Sequence, residues 1–266
     1  MTTPLSLSFN KQDPLTYDTK ATVQQKRALE NLSHLDFSGF ENVLDVGSGN
    51  GYVSSILASH KVPHGKVLGI DVDPAMVEFA NSKYKDKNIE FYTCDAKQIP
   101  FSQQFDVVTS FAVLSWIPLE DHECVMCNMY QSLRINGRLL MRLASDGKRP
   151  LHEVIRQVCQ EAKWQSYFLQ YHPNWAFQQI DPFKEMLEKI GFKNIYIQDA
   201  TTTSHFNDLN RFADWLTTWV PHRHAIPESI WQEFFFSLAK AYCIHCNQLE
   251  NQITITMPAM LVKADK

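Results

Sequence analysis

Apolar and polar positions follow two alternating periods along most of this chain. Apolar runs recur at 42–46, where the run is β-branched, and at 66–70, 89–93, 105–110, 138–144 and in KNIYIQDA at 193–200. They suit strands, the first of them buried on both faces. Between them, apolar residues three or four apart at 52–60, after Asp73-Pro74, at 121–134 and at 181–190 suit amphipathic helices. Asp73 followed by Pro74 reads as a helix cap with proline at the first helical position, and Gly191 as a helix stop. Asn136-Gly137 reads as a turn before the fifth strand. The last strand spans Gln252 to Val262, and Pro258 within it fits an edge or a bulge. Strand and helix alternating in this order predict an α/β fold, a mostly parallel sheet with crossover helices.

Two stretches, 145–180 and 203–249, break the rhythm. They are rich in aromatics, among them Trp215, Trp219, Trp231 and Phe234-Phe235-Phe236. They read as helical insertions forming a cap above the carboxyl edge of the sheet, most of their aromatics in a core and a few facing a ligand. The expected organisation is one domain over 1–266, with a ligand-binding core at 17–144 and cap insertions at 145–180 and 203–249. Residues 1–16 read as an extended arm, and 17–35 as an entry helix carrying Gln24 and Gln25.

Composition narrows the class without naming it. A chain of 266 residues with 44% hydrophobic and 20% charged residues is an ordinary globular protein. Its net charge of −4 supplies no basic field for nucleic acid. The beginning, MTTPLSLSFNKQDP, lacks the features of a signal peptide, and Val107–Leu119 is too short to cross a bilayer. A cytoplasmic protein without nucleic-acid or membrane partners is expected; the oligomeric state stays open, with a monomer favoured. Six cysteines include the pairs Cys124/Cys127 and Cys243/Cys246. Both fall in helical runs, where a spacing of three puts two small side chains on one face; free thiols and no metal site are expected.

The candidate chemistry starts at ENVLDVGSGNG, 41–51. A strand runs into Gly47, Gly49 and Gly51, and a helix follows, so the backbone can approach a ligand closely. A dinucleotide fingerprint would need its third glycine at 52, where Tyr52 stands. Asp45, two places before the first glycine, repels a diphosphate and suits a cationic ligand. The second strand ends at Asp71, 20 positions past Gly51, where an acid in a doubly wound sheet takes ribose hydroxyls. Asp73 supplies the helix cap, which leaves Asp71 for the ligand.

VLDVGSGNG resembles the first motif of the class I S-adenosylmethionine (SAM) methyltransferases, whose fold is a doubly wound, mostly parallel, seven-stranded Rossmann-like sheet. The resemblance implies SAM as cofactor and S-adenosylhomocysteine as product. It implies that Asp45, Gly47, Ser48, Gly49 and Gly51 hold the methionine portion, Asp71, Val72 and Met76 the ribose side, and Asp95 with Ala96 the adenine. Phe111, at the end of the fourth strand, borders the cofactor.

The residues after the fourth strand, SFAVLSW, lack the Asn/Asp-Pro-Pro-Tyr and Pro-Cys motifs of nucleic-acid methylation. No general base is evident there. A carboxylic acid needs none, since with a pKa near ~4 it is already a nucleophile at neutral pH. TVQQKRALENL, SFAVLSWI and the segments from FKEMLEKIGFKNIYIQDA to ITITMPAMLVKA resemble the small-molecule carboxyl methyltransferases, especially the juvenile hormone acid and trans-aconitate enzymes. In the juvenile hormone branch a glutamine of the entry helix and the tryptophan after strand four hold the acceptor carboxylate. By resemblance these are Gln24 and Trp116, the catalytic pair, and the entry helix then closes over SAM. Where that family has histidine before the tryptophan, this chain has Ser115. Arg142, Lys148, Arg149 and Arg223 read as solvated basic residues, which with the aromatic cap favours an acid with an apolar body over trans-aconitate. Other readings stay open: methylation of a quinone-like, phenolic or malonyl-carrier substrate, or a SAM-binding sensor without catalysis. A dehydrogenase is disfavoured by Asp45 and Tyr52.

Overall fold

The computed structural model describes residues 13–15, 18 and 22–266, and of 22–25 the backbone only. The 1–16 arm, most of the start of the entry helix and the Gln24 and Gln25 side chains therefore lie outside the described residues.

The chain divides into two compact units, one of residues 1–145, 174–199 and 260–266, the other of 146–173 and 200–259. The first begins with helix α1 (Thr22–Leu32) and then alternates: β1 (Asn42–Val46), α2 (Tyr52–Ile56), β2 (Lys66–Asp71), α3 (Pro74–Lys83), β3 (Ile89–Thr93), β4 (Phe105–Phe111), α4 (His122–Ser132) and β5 (Leu133–Ala144). A π-helical turn, Leu57–Lys61, prolongs α2. After α7 (Ile180–Ile190) come β6 (Lys193–Asp199) and, at the end, β9 (Ala259–Asp265). These strands form one seven-stranded sheet in the order β3-β2-β1-β4-β5-β9-β6. Pairing is parallel from β3 through β5, and β6 runs antiparallel to β9.

The core follows from helical spacing. On α4, Val125, Met126 and Met129 are buried, and on α7 Phe183 and Leu187 are sealed from solvent. All five join one apolar cluster with Leu44, Val108, Leu139, Met141 and Val262 of the sheet. Each such side chain contributes about 1.5–3 kcal/mol on removal from water. The Asp73 cap forms as its sequence predicts, its Oδ1 accepting from Ala75 N at 3.0 Å, and Gly191 ends α7 in the left-handed region at φ 115°.

Three details depart from the sequence reading. Asn136-Gly137 is not a turn between elements but a bulge inside β5, where the register on β4 jumps between Phe105 and Val107 and Asn136 takes φ 64°. The last strand is not single: Pro258, which has no N–H for a ladder, separates β8 (Ile253–Met257) from β9. β8 pairs with β7 (Thr202–Phe206), a strand that its polar sequence TTSHF had concealed.

The second unit contains that two-stranded sheet with α5 (Pro150–Gln160), α6 (Gln165–Phe168), α8 (Leu209–Thr217) and α9 (Trp231–His245). Residues 174–180, read as part of an insertion, fall in the first unit or at the start of α7. The aromatics make a core: Trp164 meets Phe234 edge to face at 5.2 Å, Phe212 stacks on Trp215, and Phe235 is buried, while Phe236 is exposed. Arg149 and Arg223 are not solvated. Both are buried, Arg149 Nη2 donating to Pro258 O at 2.9 Å and Arg223 Nη1 to Thr217 O at 2.6 Å. Arg142 is half-buried, and burial with the nearby Arg27 charge lowers its pKa to about 10; Lys148 is exposed. All six cysteines are free thiols, and among the described residues no cluster of three or more His, Cys, Asp or Glu could hold a metal. No described helix is long and apolar enough to cross a membrane.

Candidate functional site

The glycine turn leaves β1 beside its two neighbours, since Val46 pairs with Ile70 of β2 and Ser110 of β4. Gly47, Gly49 and Gly51 have φ of 73°, 54° and 79°. Ile70 O accepts from Gly47 N at 2.8 Å and Ser48 N at 2.9 Å, and Asp71 Oδ2 from Gly49 N at 2.8 Å. The first amides of the turn thus hold the turn itself. Gly47 and Gly51 are small because protein surrounds them: a Cβ would meet Val113 in one case, and Phe91 with Ala80 in the other. Gly49 differs, with nothing within 4 Å of its missing Cβ. A backbone held open on one side is the cradle that a cofactor needs.

Three acids surround this turn differently. Asp45 is buried, with Oδ2 accepting from Ser54 Oγ at 2.6 Å and Oδ1 from Thr109 Oγ1 at 2.8 Å. Burial raises its pKa to about 6, the Asp71 charge adds to this, and the two hydroxyls oppose it. Asp45 therefore stands behind the turn and not on its open surface. Asp71 is half-buried, its oxygens oriented by Gly49 N and, at 2.9 Å, by Asp73 N. Burial pushes its carboxyl upward, and these two N–H groups pull against it. Each oxygen keeps a second lone pair for a ligand hydroxyl. Asp95 follows β3, its Oδ1 accepting from Lys97 N, and Cys94 N donates to Asp71 O at 2.9 Å, so the two acidic segments are neighbours. Between them Val72 is exposed, whereas Met76 and Ala96 are buried. Ser48 is buried and its Oγ has no hydrogen-bond partner among the described residues.

Phe111, half-buried, ends β4, and Ala112 follows at φ 62°. Trp116 lies on a short 3-10 turn, Leu114–Trp116, half-buried, its N–H bonded to Val113 O at 2.9 Å. This loop sits against the glycine turn through Val113 on Gly47. Ser115 bonds outward from it: its O accepts from Ala176 N at 3.0 Å and its Oγ from Ala144 N at 3.4 Å. The structure thus brings Asp45, Asp71, Asp95, the glycines and the Trp116 loop to one edge of the sheet, while the Gln24 side chain lies outside the described residues.

Residues 38–199 match a family model described as "Methyltransferase domain". The chain belongs to this methyltransferase family. It is 27% identical over 264 residues to a trans-aconitate 2-methyltransferase of Klebsiella pneumoniae, covering 95% of both chains. It is 28% identical to the juvenile hormone acid O-methyltransferase of Bombyx mori over 73% of this chain and 71% of that one. A malonyl-[acyl-carrier protein] O-methyltransferase of Acetivibrio thermocellus is 33% identical, with the match spanning only 51% of this chain and 47% of that one. Among solved structures, Haemonchus contortus phosphoethanolamine N-methyltransferase 2 in complex with SAM has a TM-score of 0.63 at 17% identity, covering 95% of this chain and 56% of that chain. A solved structure from Bacillus halodurans C-125 has a TM-score of 0.60 at 20% identity, covering 90% of this chain and 98% of that one. The methyltransferase is SAM-dependent.

Sequence reasoning missed the partners that hold these groups. Asn50 Nδ2 donates to Asp18 Oδ1 at 2.8 Å, and Lys83 Nζ bonds both Asp18 oxygens at 2.6 Å, tying the segment before α1 to the glycine turn and to the end of α3. These contacts span 32 and 65 positions, so no local pattern signals them. Ser54 and Thr109 are likewise ordinary helix and strand residues by sequence.

Proposed function

We propose that this methyltransferase forms a methyl ester on the carboxylate of a small or medium acid, largely apolar or trans-aconitate-like, by in-line SN2 transfer from SAM. The observation that carries the reading is the 112–118 loop: it packs on Gly47 through Val113, includes Trp116, and contains no titratable side chain. A carboxylate acceptor is already ionised at neutral pH and requires only positioning. The likeness to the Klebsiella and Bombyx enzymes supports the same acceptor class.

In this reading Gly47, Ser48, Gly49 and Gly51 cradle the methionine portion, with the Asp45 charge behind them favouring the cationic cofactor. Asp71 and Val72 take the ribose side, Met76 lies beneath it, Asp95 with Ala96 takes the adenine, and Phe111 borders the whole. The Gln24 amide and the Trp116 indole N–H hold one oxygen of the acceptor, so that the other attacks the methyl group as the sulfonium departs as thioether. SAM supplies the electrophilic methyl group; the chain supplies alignment and exclusion of water. Six free thiols suit a reducing, cytoplasmic compartment.

The test is transfer from methyl-labelled SAM to trans-aconitate, dodecanoic acid and aromatic monoacids, with base-labile label scored as ester. Base-labile product that falls at least tenfold in Trp116→Phe supports the reading. SAM binding without labelling of any acid overturns it in favour of phenolic, quinone-like or malonyl-carrier acceptors, or of a sensor.

A further inference from the structure

The Trp116 loop is held from behind by a histidine outside the glycine turn and the acceptor pair. His122, the first residue of α4, is buried, and its Nε2 lies 2.9 Å from both Leu114 O and Ile117 O. These two carbonyls flank Ser115 and Trp116. Carbonyls only accept, so Nε2 carries the hydrogen and Nδ1 is the acceptor. Gln178 meets that requirement, donating from Nε2 to His122 Nδ1 at 2.7 Å. Burial lowers the His122 pKa below its ordinary value, which keeps the ring neutral with this arrangement of donor and acceptor. Gln178 is itself fixed, because its N–H bonds Ala144 O at 3.3 Å and it bridges to Ser145 beyond β5. Two residues earlier in the same segment, Ala176 N holds Ser115 O at 3.0 Å. All of these groups belong to the first unit.

We infer that His122, oriented by Gln178, is a positioning residue for methyl transfer: it sets the backbone on both sides of Trp116 and so aims the indole. It touches neither cofactor nor acceptor in the proposed reading, on which this inference rests. A satisfied core histidine would bond whatever lies nearby. This one bonds the two carbonyls that bracket the acceptor tryptophan, and the partner on its other nitrogen comes from the segment whose Ala176 N also holds Ser115 O.

The test combines His122→Leu, His122→Gln and Trp116→Phe in protein labelled with 5-fluorotryptophan and saturated with S-adenosylhomocysteine. Loss of one 19F resonance in Trp116→Phe assigns Trp116 among the six tryptophans. In His122→Leu that resonance should shift or broaden while the others stay, S-adenosylhomocysteine affinity should hold within about threefold, and kcat/KM toward trans-aconitate or dodecanoic acid should fall about 10–100-fold. His122→Gln, whose amide N–H can reach the same carbonyls, should recover most of both signals. An unmoved Trp116 resonance in His122→Leu overturns the inference, as does His122→Gln no better than leucine. Parallel loss of S-adenosylhomocysteine binding also overturns it, since His122 would then only hold the fold. Full activity in Trp116→Phe is a distinct failure, of the acceptor role: His122→Leu would then move the resonance and leave the rate normal.

Discussion

A Cβ placed on Gly47 would stand 2.1 Å from Cγ2 of Val113. The first glycine of the turn is therefore small on account of the 112–118 loop, and at φ 73° it is also strained for any other residue. Gly47→Ala is expected to destabilise the protein by about 1–3 kcal/mol and to weaken SAM binding at least tenfold, read by thermal melting and calorimetry. Adding Val113→Ala removes the clash but not the backbone strain, so recovery should be partial.

Gly49→Ala separates stability from binding. Its Cβ would meet open space, so only the left-handed backbone, at φ 54°, opposes it, a cost of about 1–2 kcal/mol. The variant should melt cooperatively a few degrees below the parent, yet bind SAM weakly because the methyl group occupies ligand space. Parental affinity would remove Gly49 from the cradle.

Asp45 predicts a pH dependence. Its carboxyl, raised to about 6 in the fold, would titrate near 3.8 in the unfolded chain, so the stability it contributes is fully present below 3.8 and is lost as pH rises through 6. Cofactor binding should run oppositely, because the cation favours the ionised form. At pH 5 about a tenth of Asp45 is ionised, and SAM affinity should be about tenfold weaker than at pH 7.5. Asp45→Asn should flatten this profile, which calorimetry across pH 5–8 would show.

Asp71→Asn replaces one accepting oxygen by a donor opposite two N–H groups, those of Gly49 and Asp73. One bond must break, and the expected loss of SAM affinity is about 10–100-fold, with little change in melting of the cofactor-free protein.

Asp18 ties the segment before α1 to the turn through Asn50 and to the end of α3 through Lys83. Asp18→Ala should weaken SAM binding several-fold. It should also remove the protection of the first 35 residues that we expect SAM to confer against trypsin. Equal cleavage of the parent with and without SAM would sink the idea that this segment closes on the cofactor.

What was legible in the sequence was local. The glycine spacing, the Asp73-Pro74 cap and the apolar runs of β1 to β4 act within a few residues, and the structure contains them where the pattern puts them. The misreadings arose where distant partners decide. Asn136 and Gly137 have turn chemistry, but pairing of β5 with β4 on both sides makes them a bulge. β7 is polar by sequence because its partner is only β8, in a two-stranded sheet. Arg149 and Arg223 look solvated until carbonyls 109 and 6 positions away are found to receive them. His122 beside a CxxC pair carries no local signal, since its meaning lies in Leu114, Ile117 and Gln178 together.

The strand order has a consequence for how the chain is made. β6 joins the main sheet only through β9, which lies between it and β5. The ribosome completes β6 at Asp199, but the strand that seats it follows 60 residues later, after the whole second stretch of the other unit. During that interval β5 and β6 are open edges on a nascent protein, the kind of surface on which chains pair wrongly. At a translation rate of about 5–20 residues per second the exposure lasts several seconds. A message cut short anywhere before Ala259 would leave it permanent.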